Sequence, residues 1–231
     1  MGGATFTTLW HMKQTAATGA RYDRFLRRDG PIGVLNEDEI RRAQRASYSE
    51  TLKNGNDIAL PPGFPAPQLA LPEDGFAPDY FSTGFCAFCS QKLRDVLAQA
   101  AHVIQFTPVN LVWGGILAQT QNYTVMRVLA KQPAIDLWLS DCDVETYTYA
   151  ESGEHVVRTG FMRRYVLLND LTPLTEVFRI EESPTYILAT DAVAERVVRA
   201  RCTGIEFFDL QDNTPMDRPR RYRGPKGVVL R

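Results

Sequence analysis

The chain has 231 residues, 44% of them apolar or aromatic and 23% charged, enough to close a sizeable core as one domain or two small ones. Its 26 basic groups against 27 acidic ones leave a net charge of -1, which argues against a general nucleic-acid binder and allows only a local basic patch. Four scattered cysteines do not make a disulfide scaffold, and no apolar run approaches the ~18 residues needed to span a bilayer.

The N-terminus contains no continuous apolar h-region, and Phe6 stands where a myristoylation signal needs Ser or Thr. The expectation is a protein of the cytoplasm that needs no membrane. Residues 1–79 read as an N-terminal extension. Arg21, Arg24, Arg27 and Arg28 are solvated or share one side of a helix. A short helix is predicted over 36–48, capped by Asn36 with Glu37, Asp38 and Glu39 in its first turn. Residues 61–78 hold six prolines, which interrupt helix and ladder alike, so this stretch is predicted to be a loop or irregular arm packed over the body.

Residues 80–210 form the expected α+β domain, and they contain a possible internal duplication. FCAFCSQKLRDVLAQAAHVIQF gives an apolar stretch, Ser90 as cap, an amphipathic helix over 91–101 and an apolar run from Val103 to Phe106. TYILATDAVAERVVRARCTGIEFF repeats that order with Thr190 as cap, a helix over 191–201 and a strand around Ile205 to Phe208. Leu93, Val96, Leu97 and Ala100 share one stripe, as do Val193, Val197 and Ala200. Between these units, TVMRVLA, AIDLWLSDCDVETYTY, HVVRTGFMRRYVLL and LTEVFRI are strand-like, broken by turns at 151–154 and 169–170. An antiparallel meander flanked by two related strand-helix-strand units fits this order, with mixed α/β packing as the alternative.

Residues 211–231 are a basic tail, carrying Arg218, Arg220, Arg221, Arg223, Lys226 and Arg231 against Asp212 and Asp217. Phosphates would be drawn to it, but Pro and Gly interrupt the run, and a solvated or protein-docking arm is the simpler reading.

Few residues point to chemistry. Cys86-Ala87-Phe88-Cys89 has dithiol spacing, yet nothing around it is organised like a thioredoxin, and Cys142 and Cys202 supply no second pair for zinc. His11, His102 and His155 belong to no ligand cluster, and His102 reads as a structural residue at a helix-to-strand junction. Gly114-Gly115 fits no phosphate-binding loop, and Gly204 reads as the bend that returns the second helix into a strand. No cofactor is implied.

The densest pattern is Asp141, Asp143 and Glu145 with Tyr147 and Tyr149, which alternation puts on one side of a strand, Cys142 and Val144 facing the other. No Lys or Arg occurs from 132 to 157. Such a face could hold a hard metal, supply acid and base groups, or meet a basic protein.

Asn122-Tyr123-Thr124-Val125-Met126-Arg127-Val128 with Asp136, then Val177-Phe178-Arg179-Ile180, Ile187-Leu188-Ala189-Thr190-Asp191 and Thr203-Gly204-Ile205-Glu206-Phe207 carry a resemblance in their order and spacing. Over residues 80–210 the chain resembles the eleventh immunity-protein family of bacterial polymorphic toxin systems, formerly a domain of unknown function. That family usually has serine where Thr190 stands, and Thr190 keeps an oxygen able to cap. The resemblance implies neutralisation of a cognate bacterial toxin by direct binding in the cytoplasm. Asp141, Asp143, Glu145, Tyr147 and Tyr149 are candidate binding residues by the strand argument. The alternatives are a metal-assisted hydrolase using the acidic face and a nucleic-acid-associated regulator using the C-terminal arginines.

Overall fold

A computed structural model describes residues 9–14, 33–34, 38, 66–71, 78–82, 87–113, 116–118, 123–148, 153 and 155–209. In chain order its strands are β1 (Leu9–Gln14), β2 (Gly33–Val34), β3 (Gln68–Leu71), β4 (Tyr80–Ser82), β5 (Ala87–Ser90), β6 (Ile104–Pro108), β7 (Asn110–Trp113) and β8 (Ile116–Ala118). They continue with β9 (Tyr123–Val128), β10 (Lys131–Gln132), β11 (Asp141–Thr148), β12 (His155–Arg164), β13 (Val177–Ile180), β14 (Ile187–Thr190) and β15 (Ile205–Asp209). Helix α1 (Gln91–Val96) and a 3-10 turn (Ala98–Val103) follow β5, and α2 (Asp191–Arg199) follows β14. The fold is α+β, and its elements fall into two compact units.

One unit comprises Gln14–Leu129 and Ala200–Ile205. It holds two four-stranded sheets, ordered β2-β3-β7-β8 and β4-β5-β9-β6. β3 corrects the expectation of an irregular arm: Gln68-Leu69-Ala70-Leu71 is free of proline between Pro67 and Pro72, so its amides can join a ladder. It pairs in parallel with β7, and Leu69 is fully buried. The segment 123–128 of the family-like motif becomes β9, buried at every position, Arg127 included. Phe81 stacks on Phe88 at 4.8 Å and meets Tyr123 edge-on at 6.2 Å.

The Ser90 hydroxyl accepts the Leu93 amide at 3.2 Å, as a cap should, and Leu93, Leu97 and Ala100 are buried on the expected stripe. The α-helix is shorter than predicted. It ends at Val96 and tightens, with the Ala100 amide donating to the Leu97 carbonyl at 2.9 Å, a common way to satisfy terminal carbonyls.

Ser90 also donates to the Asp79 carboxylate at 2.6 Å, which accepts the Thr203 amide at 2.7 Å and lies 3.3 Å from the Lys92 ammonium. Burial alone would raise the Asp79 pKa, but these donors and the Lys92 charge override it and hold the carboxyl below its ordinary range. A depressed carboxyl adds stability above its unfolded pKa of about 3.9, and that stability is lost as pH falls through the folded value. The urea midpoints of wild type and Asp79→Asn are therefore expected to converge on acidification below pH ~4. Curves that stay parallel would remove Asp79 as a stabilising group.

The other unit comprises Met1–Lys13, Ala130–Arg199 and Glu206–Arg231. It holds a five-stranded sheet ordered β10-β13-β14-β1-β15 and the two-stranded hairpin β11-β12. Leu9, Ala134, Ile135, Leu167, Phe178, Ile180 and Leu188 form a core cluster. Helix α2 buries Val193, Ala194 and Val197, and its Arg196 places both terminal guanidinium nitrogens on the Glu176 carboxylate, at 3.1 and 2.6 Å. Thr190 does not cap this helix. Every residue of β14 is buried, and the Thr190 hydroxyl sits among them with no hydrogen-bond partner. Asp191 in the first turn supplies the negative charge that complements the exposed amides.

The duplication is present and extends further than its sequence trace. β4-β5-β9-β6 and β13-β14-β1-β15 have the same order, with the helix joining the second and fourth strands across the third. The registers also correspond: Ser90 faces Tyr123 as Thr190 faces Leu9, and Phe81 faces Phe88 as Phe178 faces Leu188. The third strand differs in origin. β9 follows β6 along the chain, whereas β1 comes from the chain's beginning.

Of the helix expected over 36–48, only Asp38, helical and exposed, is among the described residues. The Arg21–Arg28 run, Gly114-Gly115, Cys86 and the tail 211–231 lie outside them.

Candidate functional site

The stretch 134–149, predicted to be strand throughout, divides in two. The Asp136 carboxylate accepts the amides of Trp138 and Leu139, each at 3.0 Å, and the Ser140 amide donates to the Asp136 carbonyl at 2.9 Å. A side chain that captures the two following amides makes a turn where a ladder would otherwise run. The turn is fastened to the segment just after β12: the Asp136 amide donates to the Val166 carbonyl at 2.8 Å, and the Val166 amide donates to the Ser140 hydroxyl at 2.9 Å. Leu137 and Cys142 pack against the core cluster on either side. Trp138, which the sequence reading missed, is 93% exposed and Leu139 47%. The signal that could have found it is Asp136 placed two and three residues before those amides; the apolar LWL run concealed it as strand.

β11 begins directly after this turn and pairs antiparallel with β12. β12 is fastened in turn by the Thr159 amide, which donates to the Glu182 carbonyl at 2.8 Å, and by the Arg158 guanidinium on the Glu181 carbonyl. The ladder is irregular, with register shifts between Asp141 and Cys142 and between Cys142 and Val144, so strict alternation is interrupted there. Asp141, Asp143 and Glu145 are all exposed. A Cβ on Gly160 would lie 3.3 Å from the Asp143 Cβ and 3.5 Å from Glu145 Oε1, so these two acids flank Gly160 together.

Val144, which alternation puts on the side of the strand opposite the acids, is 48% exposed. Tyr147 lies on β11 opposite Val156, and Tyr149 lies outside the described residues. The partner strand tempers the acidic character, because Asp141 faces Arg164 and Glu145 faces Arg158, outside the base-free stretch 132–157. Thr148 Oγ1 and His155 Nδ1, 2.8 Å apart, join the far end of the hairpin.

The described cysteines are free. Burial pushes the Cys89 thiol up to about 12 and Cys202 to about 11, so neither is an appreciable thiolate at neutral pH. His102 is exposed at the end of the 3-10 turn. Among the described residues no group of three or more His, Cys, Asp or Glu is placed to hold a metal, and no helix is long and apolar enough to cross a membrane.

Trp138, Leu139, Asp141, Asp143, Val144, Glu145 and Val157 are exposed on the hairpin and its turn. The Imm11 immunity protein family matches residues 19–212, and the chain belongs to that family. The match reaches about 60 residues further toward the N-terminus than the sequence resemblance and takes in the proline-rich segment. No curated protein matches the chain. As an immunity protein it neutralises a toxin by binding it, without catalysis.

Proposed function

We propose that this chain neutralises its cognate bacterial toxin in the cytoplasm by presenting the β11 face, with Asp141, Asp143 and Glu145 forming an acidic rim and Tyr147 and Tyr149 giving aromatic contact. The observation that carries the reading is the exposure of all three carboxylates on a strand whose preceding turn and partner strand are both fastened to the body. Exposed acids speed encounter with a basic surface and reject mismatched partners, while the affinity comes from apolar groups near the centre.

Co-expression with toxins encoded beside this gene, scored by cell survival and by a purified complex, tests the reading. Asp143→Lys is expected to slow association by roughly 3- to 10-fold at low salt, with the difference shrinking as salt rises. Truncating Tyr149 is expected to speed dissociation instead. Unchanged rates and full protection for both variants, each folded as wild type, would exclude this face while leaving the immunity role standing.

A further inference from the structure

We infer that the Trp138-Leu139 turn is the apolar anchor of the toxin interface and that its occupant is a basic-rimmed apolar pocket on the toxin. This rests on the immunity reading and deepens it. A lone exposed apolar side chain is ordinary, but a 93% exposed tryptophan beside a 47% exposed leucine on one turn makes a contiguous apolar surface of the kind that marks an interaction site. Here that surface is displayed on a rigid turn. Asp136 holds the amides of Trp138 and Leu139, Ser140 ties the turn to Val166, and the Arg164 guanidinium donates to the Leu139 carbonyl. Leu137 on one side and Cys142 on the other are partly buried against the core cluster, while the two apolar residues between them, Trp138 and Leu139, are exposed. Backbone order of this kind is already present before binding, which lowers the entropy lost on association.

Charge complementarity identifies the occupant's rim. Asp143 is exposed just beyond the turn, and although Asp141 faces Arg164, acids outnumber Lys and Arg by six to three over residues 132–166. A partner that covers Trp138 meets this net negative stretch, and Lys or Arg around its pocket would offset the exposed Asp143 carboxylate. Trp in a desolvated pocket is the commonest kind of interface hot spot, whereas rim acids govern encounter.

The test measures association and dissociation of the full chain with the purified cognate toxin for wild type, Trp138→Ala, Trp138→Phe and Asp136→Ala. Trp138→Ala is expected to raise the dissociation rate by about 30-fold or more with the association rate nearly unchanged, Trp138→Phe to recover part of the loss, and thermal unfolding to stay at the wild-type temperature. Asp136→Ala, which keeps the indole but loosens its turn, is expected to weaken binding by roughly 3- to 10-fold.

Unaltered dissociation and full protection in Trp138→Ala overturn the anchor and leave the immunity reading intact. A wild-type chain that binds and protects against none of the toxins overturns both. A chain that is dimeric alone and becomes monomeric as Trp138→Ala assigns the turn to a second copy, and an indole already shielded from acrylamide in the toxin-free monomer assigns it to another segment of this chain. Either result also overturns the inference.

Discussion

Gly204→Ala is expected to destabilise the unit that contains it by about 3–5 kcal/mol, more than other single-methyl additions at described positions. Gly204 has φ +81°, the left-handed region that disfavours any side chain. A Cβ there would lie 2.1 Å from the Tyr80 carbonyl oxygen and 2.8 Å from the Pro78 Cβ. The oxygen belongs to backbone that is held on both sides: the Tyr80 amide donates to the Thr203 carbonyl at 3.1 Å, and the Pro78 carbonyl accepts the Tyr123 hydroxyl at 2.6 Å. Relief would have to come from moving β4 or the 200–205 segment, and either movement weakens the hydrogen bonds onto Asp79.

Gly153 provides the control. Its φ is +68° with nothing within 4 Å of an added Cβ, so Gly153→Ala carries only the conformational strain, about 1 kcal/mol. The measurement is urea unfolding together with hydrogen exchange of the amides in 78–97. Equal effects of the two substitutions would show that the close approach at Gly204 relaxes at no cost.

The sequence made local order legible and left non-local pairing hidden. Ser90, the Leu93 stripe and the Val193 stripe were readable because a helix encodes its cap and its buried face within a few residues. Thr190 misled, because whether a hydroxyl caps depends on where the strand before it is buried. The strand character of Gln68–Leu71 was concealed by its flanking prolines, although the segment itself contains none.

At the candidate site, Asp141, Asp143 and Glu145 are exposed, but so are Val144 and Thr146 between and beside them, so alternation does not select one face of this strand. The bulges around Cys142 and the arginines opposite were not legible either, since register is set by the partner strand. Trp138 was lost for a related reason: one carboxylate, that of Asp136, decides between strand and turn, and apolar periodicity does not register it.

The third strand of the duplicated sheet is the plainest case of hidden pairing, and it yields a second large effect. β1 lies between β14 and β15, with Leu9 and Met12 buried at 6% and 2% exposure. By register it stands where β9 stands in the other sheet, with Met12 corresponding to Met126, itself buried at 1%. Deleting residues 1–14 would strip β14 of its ladder partner on one side and open the core cluster to which Leu9 belongs.

Loss of a central strand forfeits its ladder and its buried side chains together, at a cost comparable to the whole stability of a small domain, about 5–15 kcal/mol. The expected result is loss of exchange protection throughout 177–199, while amides of β5 and β9 keep theirs. The milder Met12→Ala, at about 2–5 kcal/mol, should leave a folded but destabilised chain. A synthetic peptide of residues 1–20 added to the deletion variant should restore protection in 187–190, where β1 pairs. Protection that survives deletion would mean that β14 and β15 close on one another without β1, and the correspondence between the two sheets would then be one of drawing and not of energetics.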